Sequence, residues 1–257
     1  MHRPWKIFFA LTTLVAIASL ASVPLEIAAL AQVQSYIPWW ASVIAFAFGF
    51  VPSVVGIAIG VATLPATGLR LPVIKGLIEG QPINGATIRT ILARSVLVAI
   101  AGFVSVHLFS LWVGPFLAPA IEEAGRNQNA DAVPFSSLQL LLLSFAAGAR
   151  EGIVFRFGLM TLIIWIGTKL FTIPSENRML IWTANLSAAI PFALVHSINA
   201  FGLGIPITLG LIAVMLLSNG SLGILFGWLY ARFGLVAAMT AHTAYDIITV
   251  CDLAQDL

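Results

Sequence analysis

The sequence predicts an all-α protein, a polytopic transmembrane helical bundle of about seven spans. Of its 257 residues, 60% are hydrophobic and only 9% charged, against about 45–50% apolar and about 25% charged in soluble domains. Mean hydropathy is +1.03, and the apolar character runs along the whole length. One anchor helix attached to a water-soluble domain cannot produce that pattern, so most of the chain lies in lipid.

The same composition excludes other classes. A net charge of +2 with no run of like charges leaves no basic arm for nucleic acid. Cys251 is the only cysteine, which removes internal disulfides and cysteine-cluster metal sites.

Residues 2–24 join a basic start, Arg3 and Lys6, to an apolar stretch that contains the small-residue run Ala18-Ser19-Leu20-Ala21. The stretch continues past Leu30, long enough to span, so it reads as a retained signal anchor rather than a cleaved signal peptide. Apolar segments at 39–63, 93–118, 137–170, 179–200, 205–232 and 235–251 supply six more expected spans. The segment 137–170 exceeds what one straight crossing needs, and Gly148, Gly152 and Gly158 are its candidate break points.

No internal repeat or linker marks a second domain. The chain divides into motif-free helices and loops over 1–136, a helical core carrying the motifs over 137–251, and a short tail, 252–257. Arg70, Lys75, Arg89 and Arg94, then Lys169 and Arg178, then Arg232 fall in alternate loops. The intervening loops hold Arg126 beside Glu122, Glu123 and Asp131. The positive-inside rule then makes this a multi-pass cell-membrane protein with a cytoplasmic N-terminus. Tyr36, Trp39 and Trp40 suit an interfacial belt, and Gly56/Gly60 and Gly223/Gly227 have the spacing of close helix packing.

Charged side chains inside a span are costly, so they mark where function sits. Arg150, Glu151 and Arg156 fall in the fourth span, His196 in the fifth, His242 and Asp246 in the seventh, and a lone His107 in the third. Residues four apart lie about 40° apart on a helix, so Phe192 shares a face with His196, and His242 with Asp246. Glu151 and Arg156 are five apart, roughly 140° around an ideal helix, so either the helix is distorted or Arg156 serves something else. A carboxylate, a His, and a His with a carboxylate form a set able to activate water and stabilise an oxyanion. The same residue types also suit a polar network that holds helices together or carries protons.

The runs Glu151-Gly152-Ile153-Val154-Phe155-Arg156, Phe192-Ala193-Leu194-Val195-His196 and His242-Thr243-Ala244-Tyr245-Asp246 resemble the three motifs of the CPBP intramembrane proteases, EExxxR, FxxxH and Hxxx(N/D). This is the family of the type II CAAX prenyl endopeptidases and of bacterial bacteriocin-processing and self-immunity proteins. Gly223 to Tyr230, continuing through Phe233-Gly234-Leu235, is similar to the family's approach to its third motif, and the resemblance covers about residues 137–250. It implies an intramembrane endopeptidase without a cofactor, acting on a membrane-associated peptide or prenylated protein. Glu151 would be the general base, His196 its partner, and His242 with Asp246 the electrophilic side; Arg156 would be the motif's arginine and Phe192 a packing residue. Asn199 would support His196 or cap the helix end.

The sequence departs from the pattern at Gly152, where the family usually has a second glutamate, and Arg150 beside Glu151 is unexpected. A guanidinium reaching the site would favour the ionised carboxylate. Asp246 would repel an oxyanion where an amide would donate to it, which suits a role in orienting His242 instead.

Zinc held by Glu151, His196, His242 and Asp246 is the first rival, although the chain has no H-E-x-x-H. Tyr245-Asp246 matches the tyrosine-aspartate pair of the intramembrane aspartyl proteases, which needs a second membrane aspartate; Asp131, Asp252 and Asp256 all fall outside the expected spans. Ser187, Ser197 and Ser218 lack the G-x-S-x-G context of a nucleophile. The non-enzyme alternative is a degenerate relative that acts as an immunity, transport or binding protein.

Overall fold

The computed structural model of the chain describes residues 4–31, 36–126, 136–202 and 205–253. Arg3, Asp131 and Asp256 lie outside them, as does most of the tail expected at 252–257. No strand occurs among the described residues.

The chain enters as α1 (Pro4–Ala31), whose buried stripe Ile7, Leu11, Val15, Ala18, Ser22 and Leu25 advances by three or four residues at a time. Tyr36, Trp39 and Trp40 are exposed before α2 (Ala41–Thr63). A 3₁₀ turn (Leu64–Ala66) leads to α3 (Pro72–Glu79), which opens on a proline and stops at Gly80 in the left-handed conformation (φ 65°). Next come α4 (Gly85–Arg126) and α5 (Ser137–Glu151), the latter started by a reciprocal capping box between Ser136 and Gln139. α5 runs through a π-helical segment (Gly152–Met160) into α6 (Thr161–Leu170). α7 (Arg178–Gly202) and α8 (Leu209–Phe233) follow, then α9 (Leu235–Leu253) after a turn at Gly234. Gly234 has φ +87° and packs under the Arg70 carbonyl and Pro72, a position that refuses a Cβ both for conformation and for space.

Six of the described helices are long and apolar enough to cross a membrane: Pro4–Ala31, Ala41–Ala66, Gly85–Phe116, Ser137–Leu170, Arg178–Phe201 and Leu209–Phe233. The protein is a multi-pass membrane protein. About seven spans were expected, and α9 makes the difference. His242, Asp246 and Asp252, with Thr240, Thr243 and Thr249, make its 19 residues too polar to rank with the six.

The π segment and α6 form the hub. Ile153, Phe157, Met160 and Ile164 are fully buried and join Ile57 of α2, Phe192 of α7, Leu229 and Tyr230 of α8 and Leu235 of α9 in one core. Polar links cross the seams: Thr161 Oγ1 and Tyr230 OH lie 2.8 Å apart, Asn185 Nδ2 donates to the Ile224 carbonyl, and Ser95 Oγ donates to the Ala237 carbonyl. The two GxxxG pairs are packing sites as expected. Gly56 meets the backbone of Ile153 and Val154, Gly60 meets Phe157, Gly223 meets Ala189 and Phe192, and Gly227 meets Asn185.

Candidate active site

Glu151 is the last residue of α5, at the point where the helix widens. The fourth span does not break at its glycines, as the sequence suggested. It stays helical by changing period, and the glycines do other work. A Cβ on Gly148 would meet the Met239 carbonyl at 3.0 Å and the Thr243 amide nitrogen at 3.1 Å, and one on Gly152 would meet Met239 Cγ at 2.7 Å. Gly148 and Gly152 are thus the seat on which α9 rests, and they let its His242 come up to Glu151.

Glu151 Oε2 lies 4.0 Å from His196 Nε2 and 3.9 Å from His242 Nε2, and it has no hydrogen-bond partner among the described residues. The structure therefore brings together groups from the ends of α5 and α7 and the middle of α9. These separations are long for direct hydrogen bonds and short enough for one small molecule to bridge. His196 Nδ1 is 2.7 Å from the Phe192 carbonyl. A carbonyl only accepts, so Nδ1 carries the proton, and in the neutral tautomer this selects, the Nε2 lone pair faces Glu151.

Asp246 Oδ2 stands 3.6 Å from His242 Nε2, the nitrogen that also faces Glu151. It does not steady the ring through its far nitrogen; both carboxylates address the same edge. The ring is held by stacking on Phe226, with centroids 4.9 Å apart and planes 22° apart. His242 is 7% exposed, whereas Glu151, His196 and Asp246 keep 23–25%. One wall is dry and the opposite side is open.

Phe192 is more than filler. Its ring meets His196 and His242 edge-on at 4.9 and 5.6 Å, and Arg156 Cζ lies 4.2 Å from its centroid. Arg156 is buried, donates through Nη2 to the Gly223 carbonyl, and leaves Nη1 without a partner among the described residues. The π segment answers the spacing problem, because a helix bonded i to i+5 returns five-apart residues to nearly one side. Arg156 uses that position to back the aromatic wall.

Arg150 turns away from the site. Its guanidinium donates to Glu26 Oε1 at 2.7 Å and Ser22 Oγ at 3.0 Å, both on α1. Asn199 is exposed on α7 and outside the cluster. His107 faces Asp252 at 3.7 Å, and Ser218 Oγ donates to the Val214 carbonyl of its own helix. Among the described residues no three His, Cys, Asp or Glu side chains are arranged to hold a metal ion. Phe226 and Met239 belong to the site's surroundings and were not singled out by spacing; the run from Gly223 leading to His242 was their visible signal.

Residues 133–248 match a family model described as type II CAAX prenyl endopeptidase, Rce1-like. Over this segment, a little under half of its length, the chain is similar to that family. The match contains Glu151, Arg156, Phe192, His196, His242 and Asp246, and it begins after α1–α4. No curated protein and no solved structure matches the chain.

Proposed function

We propose that the protein is an intramembrane endopeptidase that hydrolyses a peptide bond of a membrane-associated or prenylated, CAAX-type substrate by glutamate-activated water. Glu151 carries the reading. A carboxylate oxygen shielded from solvent, without a partner among the described residues, and facing two imidazole nitrogens at 3.9 and 4.0 Å has the surroundings of a general base.

Water between Glu151 Oε2 and His196 Nε2 donates one O–H to each, because both are acceptors once Nδ1 of His196 is committed to Phe192. As the water oxygen bonds to the scissile carbonyl carbon, Glu151 takes its proton and the C=O pair moves onto oxygen. The resulting oxyanion is stabilised by an Nε2–H of His242. Asp246, on the same edge, favours the tautomer that carries that proton. The C–N bond then breaks and Glu151 returns the proton to the departing amine nitrogen.

Phe192, Phe226 and Arg156 keep the His242 side dry, which strengthens each of these polar interactions. The mechanism needs no metal. The basic residues of alternate loops support a cytoplasmic N-terminus.

Glu151→Gln and His196→Ala are tested in the full-length protein in detergent micelles, on quenched peptides ending in a CAAX-type tetrapeptide with and without a prenyl group. Loss of cleavage by about 10²-fold or more in each is expected. Unchanged cleavage in both would reject the mechanism. Stoichiometric bound zinc with chelator-sensitive cleavage would replace its metal-free form.

A further inference from the structure

Arg150 is not one of the motif residues, yet it is held more specifically than most of them. Three helices build its niche. Glu26 and Ser22, four apart on α1, accept from Nη1 at 2.7 and 3.0 Å. Gly49 of α2 leaves the space: a Cβ there would run into Nη1 and stand 3.1 Å from Cδ and 3.2 Å from Cζ.

The ion pair is largely shielded, with side chains 16% and 26% exposed. It continues a seam in which Ala18 of α1 packs on Ala146 and Ala149 of α5. That seam is smooth: alanines alone let one helix rotate or slide against the other, because no knob fixes the register. A two-centre polar lock at its end does fix it, since a charged pair in an apolar setting has few alternative partners.

The lock sits one residue before Glu151, where regular α-helix gives way to the π segment. Rotation of the last turn of α5 would swing Glu151 directly, and the wider π turn beyond it offers less resistance than α-helix would.

We propose that Arg150 and Glu26 are positioning residues: their ion pair clamps the end of α5 to α1 and so fixes the direction in which Glu151 faces His196 and His242. This rests on the protease reading above. It gives α1 and α2, which lie outside the family match, a specific task in the reaction.

The test measures steady-state cleavage of the same quenched CAAX-type peptides by full-length protein in micelles, alongside thermal unfolding and the Glu151→Gln control. Glu26→Gln and Arg150→Gln should each lower kcat about tenfold with KM within about twofold, because about 1 Å of misplacement costs up to about 10² in rate. Arg150→Lys, and the exchanged pair Glu26→Arg with Arg150→Glu, should regain most of the loss.

Wild-type kcat in both single variants, with Glu151→Gln inactive, would overturn the positioning role and leave the protease reading standing. A loss that neither Arg150→Lys nor the exchange repairs, moving in step with the unfolding temperature, would also overturn it. Full activity in Glu151→Gln would instead remove the protease reading itself.

Discussion

The contact between α5 and α9 can be tested at a single hydrogen atom, the one that makes residue 148 a glycine. In Gly148→Ala the new methyl carbon would stand 3.0 Å from the Met239 carbonyl oxygen and 3.1 Å from the Thr243 nitrogen, with Thr243 Oγ1 nearer still. Comfortable heavy-atom contacts begin near about 3.5 Å. Two of these neighbours are backbone, so no rotamer change relieves them, and α9 must retreat by about 0.5 Å. Overpacking of this kind costs about 1–3 kcal/mol. The retreat also moves His242 from its 3.9 Å approach to Glu151. If about 1 Å costs up to about 10² in rate, half of that costs about tenfold. Thermal unfolding and peptide cleavage read the two effects separately. Gly114→Ala is the control, because nothing lies within 4 Å of its added carbon and replacing a mid-helix glycine gains about 0.5–1 kcal/mol. A Gly148→Ala protein with wild-type melting temperature and kcat would refute the idea that the glycine seat sets the height of His242.

Restoring the family's second glutamate should harm this protein: Gly152→Glu places its Cβ 2.7 Å from Met239 Cγ, and cleavage is expected to fall, with partial recovery when Met239→Ala is added. Recovery of activity above wild type in the single variant would show that the missing carboxylate, not the packing, is what matters. Thr161→Val removes the hydroxyl 2.8 Å from Tyr230 OH and should cost about 1 kcal/mol of stability, read as a lower melting temperature. Its kcat should stay near wild type, because the bond ties α6 to α8 without touching Glu151, His196, His242 or Asp246.

The long apolar runs made the helices legible, since lipid admits few other ways to satisfy a backbone. Glu151, His196, His242 and Asp246 were legible as exceptions to the same rule. The distortion between Glu151 and Arg156 could be posed from the sequence as a conflict of angle. Its resolution as a π segment could not, because the choice between periods depends on how Phe157, Gly158 and Met160 seat against α2 and α8. Arg150 illustrates the same limit: adjacency to Glu151 suggested an electrostatic neighbour, and only the position of α1, 124 residues away in sequence, decides that it points elsewhere. The glycines at 148 and 152 looked like weak points for similar reasons. What a missing side chain is for depends on what comes to rest against it.

The ring of Phe192 has a consequence for how this protein can change over time. Arg156 lies on the ring, His196 and His242 meet it edge-on, and Phe155 and Phe226 pack against it at 5.5 and 6.4 Å. Substitutions among these residues share one partner, so their effects cannot add. A change tolerated in one background becomes harmful in another, depending on how the ring has already shifted. His196, His242 and the buried Arg156 are therefore free to drift only together, as a single inherited unit.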